Sequence, residues 1–254
     1  MPYEAPIVHG NPDEPSLVAV KPAAKAPKLP AACLLVFDRA HLKLVAKAMK
    51  REKLGHSHLE LYRFRAAGAS LGAAYAGLGA PAAALALEEL AGLGIKSFVA
   101  VGSAGGLQRK MRLGEYVLCS HAVREEGTSY HYAAPARFAY ADAGLTKRLA
   151  EGMTKHKLAF RRGSSWTTDA PYRETRSKVR RYQKEGVLAV EMEASALFTV
   201  AEARGVKMSA CFAISDLLGD LEWKPGFDSR ELKAAWPPLL KAACEALAAS
   251  VKGG

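Results

Sequence analysis

Apolar runs alternate with segments of helical periodicity from residue 32 onwards, and this alternation constrains the fold more than any other feature of the sequence. Short apolar runs predict strands at residues 32–37, 59–64, 70–75, 97–101, 116–123, 187–190 and 207–214. Apolar side chains at helical spacing predict helices at residues 39–51, 81–93, 143–155, 173–184, 191–204 and 229–251. Strands and helices that follow one another in this way indicate an α/β fold.

The first 30 residues differ in composition from the rest of the chain. They are rich in proline, alanine and lysine, and proline interrupts both helices and sheet interiors. We therefore expect residues 1–30 to form an N-terminal arm. Residues 31–254 are expected to form one domain, since a single α/β core often reaches this size.

Composition argues against several classes of protein. The longest apolar stretches, around residues 81–93 and 186–203, are interrupted by glutamates, so neither predicts a membrane span. The N-terminus shows no basic start followed by an apolar block, so we expect no secretory leader and a cytoplasmic location. The four cysteines are widely separated and form no Cys-x-x-Cys pair, which argues against a metal site and against a disulfide framework.

The formal net charge is +11, but the lysines and arginines are scattered over the sequence. Proteins that bind nucleic acids usually concentrate such charges in one patch or stripe. We therefore expect a solvated basic surface first and an anionic substrate second. A nucleic-acid partner is not expected.

Glycines follow the predicted strand at residues 97–101. The run Gly102-Ser103-Ala104-Gly105-Gly106 predicts a turn at the carboxyl end of that strand, where open α/β sheets usually bind ligands. Glycines let backbone N–H groups approach an anion, and Ser103 adds a hydroxyl donor. Taken alone, the run has an ordinary interpretation, because most glycine-rich turns bind nothing.

Carboxylates follow two later strands. Glu191, Met192 and Glu193 open a predicted helix, where acidic residues are also favoured by the helix dipole. One carboxylate accepts hydrogen bonds from both hydroxyls of a ribose 2′,3′-diol, and Met192 would provide an apolar surface beneath the sugar. Ser215 and Asp216 follow the next strand, and by themselves they are consistent with a helix N-cap.

In this order, the segments resemble the nucleoside phosphorylase superfamily, of the uridine phosphorylase and hexameric purine nucleoside phosphorylase type. The resemblance covers roughly residues 32–250. It rests on Val-Gly-Ser-Ala-Gly-Gly-Leu at 101–107, Leu-Gly-Glu-Tyr-Val at 113–117, Val-Arg-Glu-Glu-Gly-Thr-Ser-Tyr at 123–130, Val-Glu-Met-Glu at 190–193 and Ile-Ser-Asp at 214–216. It implies a single α/β domain whose mixed β-sheet forms a distorted barrel flanked by helices, and a homo-oligomer that is a dimer or a hexamer.

The resemblance also implies an activity, the reversible phosphorolysis of the N-glycosidic bond of a purine or pyrimidine nucleoside. The products are the free base and (deoxy)ribose 1-phosphate, with inorganic phosphate as co-substrate and no cofactor. Residues implied at the base are Asp216 and Arg230, as catalytic groups, and Tyr172, Arg176, Ala104 and Gly105. Residues implied at the ribose are Met192, Glu193, Glu191 and His9, and those implied at the phosphate are Gly102 and Ser103.

The phosphate site departs from the pattern of the superfamily. Relatives carry Gly-Asp-Pro-x-Arg after the first strand and an arginine just before the Gly-Ser turn. This chain has Phe37-Asp38-Arg39 and Ala100 at those places. The remaining candidates for phosphate binding are Arg39, Arg63 and Arg124.

Three questions stay open at this point. Asp216 favours a purine, because an acid can protonate purine N7, whereas the overall sequence resembles the uridine phosphorylase branch. The missing phosphate arginines leave a nucleosidase that uses water as the second interpretation. A non-catalytic nucleoside-binding or storage protein on the same fold is the third.

Overall fold

The computed structural model describes residues 14–18, 20, 29–48, 51–56 and 59–252. The strands are β1 (Ala32–Val36), β2 (Arg51–His56), β3 (Leu59–Ala66), β4 (Ala69–Tyr75), β5 (Ser97–Gly106), β6 (Tyr116–Glu125), β7 (Phe138–Tyr140), β8 (Phe160–Thr168), β9 (Ala189–Glu191), β10 (Lys207–Leu217) and β11 (Lys224–Pro225). The helices are α1 (Arg39–Ala48), α2 (Ala80–Gly92), α3 (Ala143–Lys155), α4 (Arg176–Lys184), α5 (Ala194–Ala203) and α6 (Arg230–Lys252). Short 3-10 helices lie at Thr128–His131 and Pro171–Arg173.

Five of the strands close into a barrel. β10 pairs with both β5 and β6, and β8 and β9 complete the ring back to β5. Outside the ring, β1 runs parallel to β5, and β4, β3 and β2 follow it outward. The sheet is mixed, because β5 is parallel to β1 and β10 but antiparallel to β9. The predicted α/β fold with a distorted barrel is therefore confirmed.

Helices cover the sheet on two sides, which explains the apolar strand runs of the sequence. One core cluster includes residues of α2 and α5, and the other includes residues of α1, α3 and α6. All five residues of β1 are fully buried, as expected for a strand that is covered on both faces. A continuous apolar run, rather than alternation, is the pattern that such a strand produces.

The prediction of a turn at residues 102–106 is wrong, because β5 continues as a strand to Gly106. Its glycines mark close approach by neighbouring side chains. A Cβ atom at Gly102 would lie 2.7 Å from the Phe37 ring, and one at Gly105 would lie 2.6 Å from Leu218. The strand itself therefore forms the floor of the region where a ligand was predicted.

Other element boundaries also differ from the prediction. β10 extends to Leu217, so Asp216 lies within a strand and does not cap a helix. α5 begins at Ala194, which leaves Glu191 in β9 and Glu193 at the N-cap position. The predicted helix 39–51 ends at Ala48, and β2, β7 and β8 were not predicted.

Little of the predicted arm is described, namely residues 14–18, 20, 29 and 30. Within it, the Val20 side chain packs against Gly92 at the end of α2. The division between arm and domain stays a prediction. No helix in the described residues is both long and apolar enough to cross a membrane.

Candidate active site

The site begins at a gap along one edge of β5. β1 pairs with this edge over Ser97–Val101, and β9 pairs with it at Gly105 and Gly106. Between these two partners, no described strand pairs with residues 102–104 on that edge. The ends of β1 and β9 therefore flank residues 102–104 of β5.

A cavity of about 340 Å³ opens at the β1 side of this gap. Ser103 is exposed there, although the rest of β5 is buried. Phe37 directs its ring against the backbone of Gly102, where only a glycine leaves enough space. The full lining consists of Phe37, Asp38, Arg39, His41, Tyr75, Leu78, Gly102 and Ser103.

Arg39 is the cationic residue of the cavity. Its guanidinium lies 4.2 Å from the centroid of the Tyr75 ring, and its Nε donates to Glu60 Oε2 at 3.2 Å. The side chain is largely exposed. Its charge is thus shared between the cavity and an ion pair at the surface.

His41 lies deeper in the same cavity. Its ring centroid is 3.7 Å from that of Trp236 in α6, and 9% of the residue is exposed. Burial lowers the pKa of His41, although the nearby Asp38 carboxylate opposes this effect. The imidazole is therefore neutral near pH 7.

Glu191, at the end of β9, is a fully hydrogen-bonded buried carboxylate. It accepts from Ser165 Oγ at 2.9 Å and Thr167 Oγ1 at 2.6 Å, both on β8. It also accepts from the backbone N–H groups of Glu193 at 2.7 Å and Ala194 at 2.6 Å. Both oxygens are thus used in holding the turn that leads into α5.

Glu193 is buried next to Glu191 and has fewer donors. Its Oε1 accepts from the backbone N–H of Gly79 at 2.7 Å, and Gly79 adopts a φ of 86°, which favours glycine. Burial and the negative charge of Glu191 raise the pKa of Glu193 to about 8. Met192 lies beside this pair, with its Cε 3.9 Å from the Cβ position of Gly79.

Asp216 approaches the other end of the gap from β10. Its Oδ2 lies 3.1 Å from the Cβ position of Gly105, so a side chain at Gly105 would collide with it. Ser215 Oγ donates to Oδ1 at 2.7 Å, and the indole Nε1 of Trp223 donates to Oδ2 at 2.9 Å. Asp216 is 7% exposed.

A second carboxylate, Glu174, lies near Asp216. It follows the 3-10 helix Pro171–Arg173 and is half-buried. Burial and the charge of Asp216 raise its pKa to about 7, while Lys178 acts in the opposite direction. The Asp216 end of the gap therefore has a carboxyl group whose pKa lies near neutrality.

Two of the residues predicted at the base, Tyr172 and Arg176, lie at the protein surface. Tyr172 is fully exposed, and Arg176 donates from Nε to the Leu221 carbonyl at 3.2 Å. This bond ties the start of α4 to the loop that carries Trp223. Ala104 is buried in β5, and its carbonyl accepts from Ser215 Oγ at 3.3 Å.

Three arginines predicted in the site are neither cavity-lining residues nor hydrogen-bond partners of Asp216 among the described contacts. Arg230 begins α6 and is exposed, and Trp223 instead donates to Asp216. Arg63 of β3 lies opposite Gly72, near the start of β1, and is not among the residues that line the cavity. Arg124 is buried and donates to Ser129 Oγ and to the carbonyls of Ala133 and Ala134.

The remaining predicted residue, His9, lies outside the described residues. In turn, the sequence patterns did not point to His41, Gly79, Glu174 or Trp223. His41 lies in the first turn of α1, three residues after Asp38 in the segment that departs from the superfamily pattern, and that position was the only signal for it. The other three come from segments far apart in sequence, which only the fold brings together.

Comparison with known proteins identifies the family of the chain. The sequence profile described as the phosphorylase superfamily matches residues 31–251. The chain belongs to this superfamily. The resemblance to uridine and purine nucleoside phosphorylases is thereby confirmed.

Individual relatives match over shorter stretches. A guanosine phosphorylase of Halorubrum lacusprofundi is 33% identical over 134 residues, which is 53% of this chain and 56% of that protein. A uridine phosphorylase of Thermococcus kodakarensis is 29% identical over 177 residues, 65% of this chain and 64% of that protein. The chain thus spans less than two thirds of these two relatives.

The fold agrees over a longer stretch. The crystal structure of a uridine phosphorylase from Vibrio fischeri ES114 has a TM-score of 0.78 and 26% sequence identity. The match covers 89% of this chain and 93% of that one. The architecture of this superfamily member therefore has a solved counterpart along almost its whole length.

Proposed function

We propose that this protein is a nucleoside phosphorylase that transfers the sugar of a nucleoside from its base to inorganic phosphate. The observation that carries the proposal is the order of groups along β5. The cavity lies at Gly102 and Ser103, Asp216 lies against Gly105, and Glu193 follows β9, which pairs with β5 at Gly105 and Gly106. Gly102 and Gly105 are about 10 Å apart along the strand, which suits phosphate, sugar and base in a row.

Phosphate is placed in the cavity, where it would attack the anomeric carbon. The proposed donors are the Ser103 hydroxyl and backbone N–H groups among residues 102–104. They lie on the edge of β5 between its partners β1 and β9. Arg39 supplies positive charge at the mouth. No cofactor is needed, because phosphate itself is the nucleophile.

The ribose is placed over Glu193 and Met192. Once ionised, the Glu193 carboxylate accepts hydrogen bonds from the 2′ and 3′ hydroxyls, while Met192 packs against the apolar face of the sugar. Glu191 does not touch the sugar in this arrangement. It holds the backbone of residues 193 and 194, and so it positions Glu193.

The base is placed against Asp216 and Glu174. As the glycosidic bond breaks, negative charge develops on the base, and a proton delivered to it makes it a better leaving group. Glu174 has a pKa of about 7 and can hold that proton at neutral pH. In this proposal Glu174 takes the supporting role that the sequence had assigned to Arg230.

A purine is favoured over a pyrimidine. Two neighbouring carboxyl groups at the base end suit a ring that offers both N–H donors and an N7 acceptor, as 6-oxopurines do. The similarity to a guanosine phosphorylase is consistent with this choice. Guanosine and inosine are therefore the substrates that we propose to test first.

The test is an assay of the purified protein with guanosine, inosine, adenosine and uridine, each with and without inorganic phosphate. We expect ribose 1-phosphate and free base from the 6-oxopurine nucleosides, and only when phosphate is present. Free ribose formed without phosphate would instead show hydrolysis. Faster cleavage of uridine than of guanosine would overturn the choice of base.

Three organisational features belong to the same proposal. Residues 1–30 form an arm before a catalytic domain at 31–254, in agreement with a superfamily match that begins at residue 31.

The protein is a homo-oligomer, a hypothesis supported by the exposed Leu78 and Leu85 and testable by light scattering. It works in the cytoplasm, where its four unpaired cysteines would remain reduced.

A further inference from the structure

The proposed reaction leaves one cavity residue without a role, and that residue is His41. It is the third residue of α1, and its ring packs on Trp236. The imidazole lines the same cavity as Gly102 and Ser103. Only 9% of the residue is exposed, although it lines the cavity.

The hydrogen bonding of His41 is incomplete. Its Nδ1 is sealed from solvent and has no partner among the described residues. Buried polar atoms are nearly always paired, and each exception needs an explanation. Because His41 lines the cavity, its imidazole can meet a ligand only through the nitrogen that is not sealed.

The sealed Nδ1 determines which nitrogen can serve that ligand. A proton on Nδ1 would bury an unpaired N–H donor, whereas a proton on Nε2 leaves only an unpaired lone pair inside the protein. The Nε2–H tautomer therefore fits the surroundings better. It presents a neutral donor, which suits an oxyanion in the cavity.

We infer that His41 is a ligand of the phosphate co-substrate and donates a hydrogen bond from Nε2 to a phosphate oxygen. This inference rests on the proposed function, because it takes the cavity as the phosphate site. The other cationic candidates are engaged elsewhere. Arg39 pairs with Glu60, and the guanidinium of Arg124 is bound to the loop at residues 129–134.

Such a site recognises phosphate mainly by hydrogen bonds rather than by a cluster of charges. Ser103 and His41 both line the cavity and come from different elements, β5 and α1. Two donors from different elements restrict the orientation of the bound anion. This explains how a chain without the usual phosphate arginines would still hold its nucleophile in line with the sugar.

The experiment compares two isosteric variants, His41→Gln and His41→Asn. The side-chain nitrogen of Gln lies near the position of imidazole Nε2, whereas that of Asn lies near Nδ1. Both variants lose the stacking on Trp236, so effects of packing are common to the two. His41→Met, which fills space without a donor, is the second non-donor variant if the Asn protein is unstable.

Two measurements are made on each folded variant. Isothermal titration with inorganic phosphate alone tests binding, and steady-state kinetics with the best nucleoside tests turnover. We expect the KM and Kd for phosphate to rise about 10-fold or more in His41→Asn and His41→Met. They should stay within about 3-fold of the wild type in His41→Gln, and the KM for the nucleoside should not change.

The two proposals fail in different ways. A wild-type protein that binds phosphate but does not cleave nucleosides would overturn the proposed function, while the titrations would still decide the role of His41. Equal weakening in the Gln and Asn variants would show a packing role and overturn the inference. So would unchanged phosphate affinity in His41→Asn, or a wild type that binds no phosphate.

Discussion

At the proposed ribose end of the site, Glu191 accepts four hydrogen bonds from protein donors, whereas at the proposed phosphate end His41 Nδ1 has no partner in the described part of the chain. The first arrangement is complete before any ligand arrives. The second leaves Nε2 as the nitrogen that can meet a ligand.

This difference separates two ways of building a binding site. A buried network with every member satisfied fixes the position of Glu193 and removes the need to reorganise it during the reaction. The proposed phosphate end relies instead on an exposed arginine and on a histidine whose Nδ1 has no partner among the described residues. We therefore expect mutations at the sugar and base end to have large effects, and those at the phosphate end to have smaller ones.

The largest effect is expected for Asp216→Asn. The amide cannot take part in proton transfer to the leaving base, and loss of this step should lower kcat by about 100-fold or more. The measurement is kcat for guanosine at saturating phosphate. Asp220→Asn, which removes an exposed carboxylate of the neighbouring loop, is the matched control. A kcat within threefold of the wild type would remove Asp216 from the chemistry.

The next effect is expected for Glu193→Gln. The amide oxygen can still accept from Gly79, so the fold should be retained, but the charged acceptor for the ribose hydroxyls is lost. Hydrogen bonds to charged groups suggest a rise of about 10-fold to 100-fold in the KM for the nucleoside. A 2′,3′-dideoxynucleoside should bind the two proteins equally well, and a larger difference with that ligand would contradict the assignment.

A smaller effect is expected from pH alone in the wild-type protein. Glu193 has a pKa raised to about 8, so below that pH it is mostly protonated and must lose its proton to bind the diol as a carboxylate. The affinity for the nucleoside should thus increase about tenfold between pH 7 and pH 9. Calorimetry without phosphate measures this, and Glu193→Gln should lose this tenfold increase. The same slope in both proteins would assign the titration to another group.

The smallest effect is expected at the phosphate end for Glu60→Gln. Removing this ion-pair partner frees the guanidinium of Arg39, which should lower the KM for phosphate by about twofold to fivefold. Glu151→Gln, which removes a carboxylate from a more exposed ion pair on α3, is the control. An increase in the KM for phosphate would show that Glu60 positions Arg39 rather than competing for its charge.

The sequence alone indicates much of the frame and the acidic residues of the site. The α/β alternation and the positions of Glu193 and Asp216 at the ends of strands follow from local patterns, because a buried strand produces a recognisable apolar run. Glycine was harder to interpret. At Gly102 and Gly105 it marks close contact within a strand, and a single sequence does not distinguish this from a turn.

Local sequence patterns do not reveal the polar contacts between segments that lie far apart in the chain. β8 has the sequence FRRGSSWTT, which lacks a long apolar run, because Ser165 and Thr167 face Glu191 instead of an apolar core. The pKa of Glu174 depends on Asp216, which lies 42 residues later in the chain. Such polar pairs are visible only once the barrel has closed.

The closed ring also has a consequence for the timing of the reaction. Because β5, β10, β6, β8 and β9 form a closed ring, they cannot spread apart without breaking a ladder of backbone hydrogen bonds. In the proposed reaction, entry of the nucleoside and escape of the free base would therefore depend on segments outside the ring, and residues 171–176 and 218–227, which carry Glu174 and Trp223, are the candidates at the Asp216 end. Turnover would then be limited by how often these segments separate, while the barrel remains a rigid frame.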